Sequence, residues 1–316
     1  MKLNRRRAPR EGGSKMLGRR LRQMGMPGLG IVLLLAFGLI AACGPASDPK
    51  EGDAGSAGDP FTLDIRGSDT MVNLGAALAE AYMDEHSQAE LVVQGGGSGT
   101  GIAALLNRNA DIAQSSRPMK DSELAEAKSK GLDVKEYVVA GDAVAVAVHP
   151  QNPLDEISLE DLSRIYRGEI TNWSELGGPD KGIVVLSRDT ASGTHVFFLE
   201  TAVRLGGTQG EFGQDVMMVP STSFIADEVG RNEGAIGYIG LSYLDDRTKA
   251  LAVVDADGNS IRPDEPHSDG IAYPLARPLF FYLAGEPQGG LAHYMEFVLG
   301  PVGQRVVDDL KFLPIK

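Results

Sequence analysis

Four times between Phe61 and Glu200 a short apolar run ends in a turn rich in hydroxyls and glycine, and a helical pattern follows. Thr62–Arg66 runs into Gly67-Ser68-Asp69-Thr70, after which Met71–His86 carries apolar residues at helical spacing. Leu91–Val93 leads into Gln94–Gly101 and then Ile102–Asn107. Ala110–Ala113 leads into Gln114-Ser115-Ser116-Arg117-Pro118. Gly182–Leu186 leads into Ser187–Thr194 and a helix from Thr194 to Glu200. A repeated strand, turn and helix order predicts an α/β architecture with a largely parallel sheet. Val138–Val148 is the most continuous β-branched run, as expected of a strand buried on both faces or one crossing between two lobes.

In open α/β sheets ligands lie outside the carboxyl ends of the strands, where helix N-termini gather. The four turns would bring there Ser68 and Thr70, Ser98, Ser115 or Ser116 with Arg117, and Arg188 with Ser192, Gly193 and Thr194. These are donors for an oxyanion: a guanidinium fork, hydroxyls and helix-start amides that have no helical partner. A tetrahedral oxyanion asks for about ten hydrogen bonds, which hydroxyls and amides supply without many counter-charges. Taken singly each turn has a plainer account. Ser192 and Ser68-Asp69-Thr70 read equally well as helix caps, and the glycines from Gly95 as a tight turn.

The N-terminus sets the compartment. Nine Lys and Arg precede or flank an apolar run from Gly28 to Ala42, too short to span a bilayer comfortably and shaped like a secretory signal covering residues 1–42. It ends Leu39-Ile40-Ala41-Ala42-Cys43, similar to a lipoprotein cleavage box, and Cys43 is the single cysteine. No intrachain disulfide can form, and Cys43 fits the acceptor of a lipid anchor. Residues 43–60, rich in Gly, Ala, Asp and Pro, read as a flexible tether. Arg19-Arg20 is a weak twin-arginine signal within a generally arginine-rich segment. Removing residues 1–42 takes nine of the 30 basic residues and one of the 43 acidic, which changes the net charge from −13 to −21. So acidic a surface argues against nucleic acid or anionic lipid as partners, and leaves anion binding to local, dehydrated donors.

Other chemistries find little support. Gly95–Gly101 lacks the Gly-Lys-Ser/Thr ending of a P-loop, and Thr100 stands where a Gly-x-Ser-x-Gly elbow needs its last glycine. Gly99-Thr100-Gly101-Ile102-Ala103-Ala104 fits a dinucleotide fingerprint, a weak signal at an extracytoplasmic address. The five histidines, at 86, 149, 195, 267 and 293, show no metal spacing, so neither a metal nor a cofactor is expected. With no His-Asp pair beside the serines, an enzyme is not expected. Tyr166, in an amphipathic helix from Leu159 that Gly168 ends, and Trp173 beyond it are expected in the core.

Gly67–Thr70, Gln94–Gly101, Asp111–Pro118, Ile165–Trp173 and Arg188–Thr194 together resemble, in order, successive motifs of the phosphate-binding lipoproteins of bacterial phosphate ABC transporters. Asn232–Tyr238 and Tyr273–Pro278 resemble two later segments of that family. The resemblance implies a periplasmic-binding-protein fold of the class II type: two α/β lobes, two crossings and one anion between them. Lobe 1 would comprise 61–144 and 246–316, and lobe 2 residues 145–245. Carried over position by position, Thr70, Ser98, Arg188, Ser192, Gly193 and Thr194 fall on ligand-contacting positions, with Ser68 and Ser116 beside them. Well-known members carry an aspartate in the third turn, read as the acceptor for the proton of hydrogen phosphate. Here Arg117 stands near that position, and Asp142, on an apolar strand, is the candidate replacement. The function implied is capture of inorganic phosphate by a monomer outside the cytoplasm, lipid-anchored through Cys43, for delivery to a membrane permease. Another oxyanion such as sulfate or molybdate, or a signalling or adhesive role, is the alternative.

Overall fold

In the computed structural model, residues 60–265 and 272–315 are described. The expected signal segment, Cys43 and the tether as far as residue 59 lie outside them. The chain opens with β1 (Phe61–Gly67), a 3-10 turn at Asp69–Met71, α1 (Val72–Glu85), β2 (Ala89–Gln94), α2 (Ser98–Leu106), β3 (Ile112–Ser115) and α3 (Asp121–Ser129). β1 lies between β2 and β3, parallel to both, with Ile65 opposite Val93 on one side and Ile112 on the other. α1 buries Leu74, Leu78 and Tyr82 one turn apart, the stripe that its spacing predicted.

β4 (Lys135–Val148) is 14 residues long and joins two halves of one sheet. Val139 and Ala140 belong to a core with Leu63, Ile65, Leu74, Leu78 and Phe281, whereas Ala143–Val148 contribute to two cores beyond it. Each buried valine there is worth about 1.5–3 kcal/mol of transfer free energy. The second half then builds up from β5 (Glu156–Ser158), α4 (Leu159–Tyr166), β6 (Val184–Arg188), α5 (Gly193–Phe198), a π-helical turn at Leu199–Val203, β7 (Met217–Val219), α6 (Thr222–Arg231) and β8 (Ala235–Gly240). Its strands follow the order β4, β8, β6, β7. α4 and α5 cover one face through Ile165, Tyr166 and Phe198, and α6 the other through Ile225 and Val229. Tyr166, at the end of α4, and Trp173, beyond it, are fully buried, as expected of the aromatics that close and follow an amphipathic helix.

The return path differs from the expected boundary at residue 245. β9 (Lys249–Val254) pairs with β4 at Val146–Val148 and with β5, and β10 (Ser260–Ile261) pairs with β9. Leu251, Val253, Ile261, Tyr273 and Leu275 lie in the second lobe's core. The chain therefore stays in lobe 2 until about residue 275, held there by the ladder of β9 with β4 and β5. It crosses back along β11 (Ala276–Leu283), antiparallel to the first half of β4 and to β3. α7 (Gly289–Leu299) and α8 (Pro301–Asp309) close lobe 1 through Tyr294, Val298 and Val307.

Candidate functional site

All four strand-end turns meet between the lobes. From lobe 1, β1 delivers Ser68 and Thr70, the start of α2 delivers Ser98, and β3 delivers Ser116; each is almost fully buried. From lobe 2, β6 ends in Arg188, and the start of α5 presents Gly193 and Thr194 behind its cap, Ser192. The lobes touch here directly: Thr70 Oγ1 and Thr194 Oγ1 are 2.7 Å apart, and the Gly99 amide donates to the Ala191 carbonyl at 3.0 Å.

Glycine is required at two of these positions. Gly97, ahead of α2, has φ +100°, in the left-handed region that side chains avoid, and a Cβ there would stand 2.7 Å from the Ala191 carbonyl oxygen. A Cβ on Gly193 would overlap Ser98 Oγ and come within 2.6 Å of Ser116 Oγ. The first turn of α5 thus lies against the two serines of lobe 1, which are themselves linked: the Ser116 amide donates to Ser98 Oγ at 3.1 Å. Ser192 does cap α5, its Oγ accepting from the His195 amide at 3.3 Å.

Arg188 is 1% exposed, and both of its terminal nitrogens are committed within lobe 2. Nη1 donates to Thr222 Oγ1 and Nη2 to the Pro220 carbonyl, each at 2.7 Å. Asp69 Oδ2, from lobe 1, lies 3.2 Å from Nη1. The strand end is fixed by Tyr238, whose hydroxyl accepts from the Arg188 amide at 3.0 Å and meets Ser187 Oγ at 2.7 Å. Burial pushes that phenol up to about 12, so it stays protonated at neutral pH.

Asp142 and Arg277 occupy the two crossing strands at directly paired positions. Arg277 Nη2 and Nε both donate to Asp142 Oδ2, at 2.8 and 3.2 Å. The same guanidinium donates to Thr194 Oγ1 at 3.0 Å and to the Ser116 carbonyl at 3.1 Å, so it ties the two lobes to the carboxylate. Burial raises the Asp142 pKa above the usual carboxylate value; the Arg277 charge and bonds, with the Leu241 and Ala143 amides, oppose the shift without cancelling it. Asp142 Oδ1 makes no hydrogen bond of normal geometry. It faces the same side as Thr70, since a Cβ on Gly240 would stand 3.2 Å from both Asp142 Oδ1 and Thr70 Cγ2.

Among the described residues, seven buried side-chain polar atoms have no hydrogen-bond partner in the protein: Ser68 Oγ, Asp142 Oδ1 and Arg188 Nε in the cleft, Arg117 Nε beside it, and one atom each of Gln114, Ser242 and Tyr294. Such atoms cost about 1–3 kcal/mol each, so the three in the cleft are groups that a ligand there could satisfy. Arg117 differs from the rest. Its terminal nitrogens are held by Glu123 at 2.7 and 2.8 Å and by the Pro118 carbonyl, at the head of α3. Burial would raise the Glu123 pKa, but this pairing and the Lys120 amide outweigh it and hold the carboxyl low. The charge of Arg117 therefore serves its own turn, behind the α2 start.

Arg277, Asp69 and Thr222 were not expected in the site. For Arg277 a signal existed: it is the one charged residue in the apolar run 276–283, as Asp142 is in 139–148, and two opposite charges in buried strands need each other. Among the described residues no cluster of histidines, cysteines and carboxylates could hold a metal ion, and no helix is long and apolar enough to cross a membrane.

Comparison with known proteins agrees with this fold. A family model described as a PBP superfamily domain matches residues 49–302. The Phosphate-binding protein PstS of Bacillus subtilis (strain 168) is 31% identical over 295 residues, covering 90% of this chain and 93% of that protein. Protein SphX of Synechococcus elongatus is 30% identical over 261 residues, covering 79% of this chain and 76% of its own. A phosphate ABC transporter substrate-binding protein from Clostridium perfringens, solved with bound phosphate, superimposes with a TM-score of 0.72 at 31% identity, over 81% of this chain and all of that one. An ABC-type phosphate transport receptor from Vibrio cholerae gives a TM-score of 0.64 at 26% identity over the same share of this chain. The chain belongs to the PBP superfamily and, within it, to the PstS-like phosphate-binding proteins.

Proposed function

We propose that this protein captures inorganic phosphate outside the cytoplasm and delivers it to the membrane permease of an ABC transporter. The observation that carries this reading is the convergence of Ser68, Thr70, Ser98, Ser116, Arg188, Gly193 and Thr194 on one buried cleft between lobes, with donor atoms left over there. The relatives are named as phosphate-binding proteins, and one was solved holding phosphate. They are binding proteins rather than enzymes, and this chain is read as one too.

Asp142 supplies the discrimination. Arg277 holds Oδ2, which leaves Oδ1 as a lone acceptor in a buried setting. Hydrogen phosphate can donate its remaining proton to that oxygen. Sulfate has no proton to give and would face an unpaired, repelling carboxylate, which costs several kcal/mol. The acceptor role of the third-turn aspartate in well-known relatives passes, on this reading, to a residue on a crossing strand. Arg117 then contributes to the cleft only by stiffening the turn that carries Ser116.

Isothermal titration with phosphate, sulfate, molybdate and a phosphate ester tests the reading. Tight binding of phosphate alone supports it; preference for another oxyanion keeps the fold and changes the substrate; no binding overturns it and favours a signalling or adhesive role. The apolar run before Cys43 supports anchoring by a lipid on that cysteine. Cys43→Ser should move the protein from the membrane fraction to the soluble one. Elution as a single monomeric species with and without phosphate is expected.

A further inference from the structure

We propose that Asp69 is an interlobe latch: a positioning residue of lobe 1 that closes onto the start of α6 and onto Arg188 in lobe 2, and so governs how long the bound anion is held. The proposal rests on the phosphate reading above for its ligand, but not for its geometry.

Asp69 lies between two expected contact residues, Ser68 and Thr70, yet its carboxylate turns to the opposite lobe. Oδ2 accepts from the Thr222 amide at 2.8 Å across 153 residues of sequence and stands 3.2 Å from Arg188 Nη1. Its backbone carbonyl accepts from the Tyr243 hydroxyl at 2.9 Å, a second bond to lobe 2 from the same residue. Thr222 is the first residue of α6, so its N–H has no intrahelical acceptor. A carboxylate from the other lobe fills that need and meets the positive end of the helix as well.

The consequence for Arg188 is specific. Its two terminal nitrogens are taken by Thr222 Oγ1, the Pro220 carbonyl and Asp69, which leaves Nε as its unpaired donor. Asp69 thereby sets the attitude of the guanidinium and balances its charge, but only while the lobes are together. The two partners differ in exposure, 1% for the Arg188 side chain and 19% for that of Asp69. Asp69 sits nearer solvent and can be rehydrated when the lobes part, so the contact can form and break in each cycle. Closure then gains a charge-assisted pair and a helix cap in addition to the bonds to the anion.

Stopped-flow measurement of phosphate binding to the full chain carrying Asp69→Ala or Asp69→Asn tests the latch. Losing one partner of a partly buried charge pair acts mainly on dissociation, so the alanine variant should release phosphate at least about tenfold faster, with association changed less than about threefold. Asp69→Asn keeps the shape and an acceptor for Thr222 but not the charge; it should fall between, and it carries the test if the alanine variant does not fold. An unchanged dissociation rate, or a loss confined to association, overturns the proposal. Should the wild-type protein bind no phosphate, the functional reading fails by itself and amide exchange at Thr222 decides. Faster exchange in Asp69→Ala than in wild type supports the latch, and equal exchange overturns it.

Discussion

The hydroxyls of Thr70 and Thr194 lie 2.7 Å apart although 124 residues separate them in sequence. One follows the first strand of lobe 1 and the other opens a helix of lobe 2, so the two halves of the site complete each other only when the lobes meet. Arg277, donating to Thr194 Oγ1 at 3.0 Å from a crossing strand, ties that meeting point to the hinge.

Arg188→Ala should weaken phosphate binding by about 100-fold, near the ~2–3 kcal/mol expected when a charged donor to a buried anion is lost. Titration calorimetry reads this directly. Retained affinity would mean that hydroxyls and amides alone hold the ligand.

Asp142→Asn should narrow the preference for phosphate over sulfate, because an amide can donate to an unprotonated oxygen where a carboxylate cannot. The expected change is in the ratio of the two affinities, by about tenfold or more. Competition titrations at one pH measure it. Since Arg277 loses its charge partner, a lower melting temperature is expected alongside.

Gly193→Ala puts a methyl group into Ser98 Oγ and Ser116 Oγ, which belong to the other lobe. The strain of about 1–3 kcal/mol falls on the closed form, so affinity should drop about 5- to 150-fold. The melting temperature without ligand should move little. A large loss of stability with unchanged affinity would contradict this placement.

His195 is held below its ordinary pKa by burial, against the opposing pull of the Arg188 carbonyl and Asp189. The unfolded chain therefore takes up this proton first, at about pH 6.5, and stability falls as pH drops from there toward the folded value. Melting curves between about pH 7 and 5 should show a shallower slope for His195→Gln than for the wild type.

Each buried arginine near the cleft has a carboxylate partner: Arg188 with Asp69, Arg277 with Asp142, Arg117 with Glu123. The site then offers little net positive charge, while the protein around it is acidic. Added salt should leave the association rate of phosphate unchanged or raise it by screening the outer repulsion. A marked slowing between about 0.05 and 0.5 M salt would point to an exposed cationic patch instead.

Much of this was legible in the sequence, and the gaps share a cause. The strand, turn and helix units, the long crossing run and the helix starts are local patterns, and the structure has them close to where periodicity puts them. The return to lobe 1 was placed some 30 residues too early, because β9 joins lobe 2 through pairing with β4, which no local signal records. Ser68-Asp69-Thr70 reads as a cap for the helix that follows it. Asp69 does serve as a helix cap, but for α6, far along the chain and in the other lobe. Arg117 and Arg277 likewise look alike as isolated arginines; only their carboxylate partners separate a turn-stiffening role from a place in the cleft.

β4 has a consequence for how the protein comes apart. Val139 and Ala140 are packed in one lobe and Ala143–Val148 in the other, on a single strand. Melting either lobe strips one end of that strand of its neighbours and exposes valines that the other lobe's ladder depends on. Two cores that share a backbone in this way should denature in one cooperative step, with no intermediate in which one lobe survives alone.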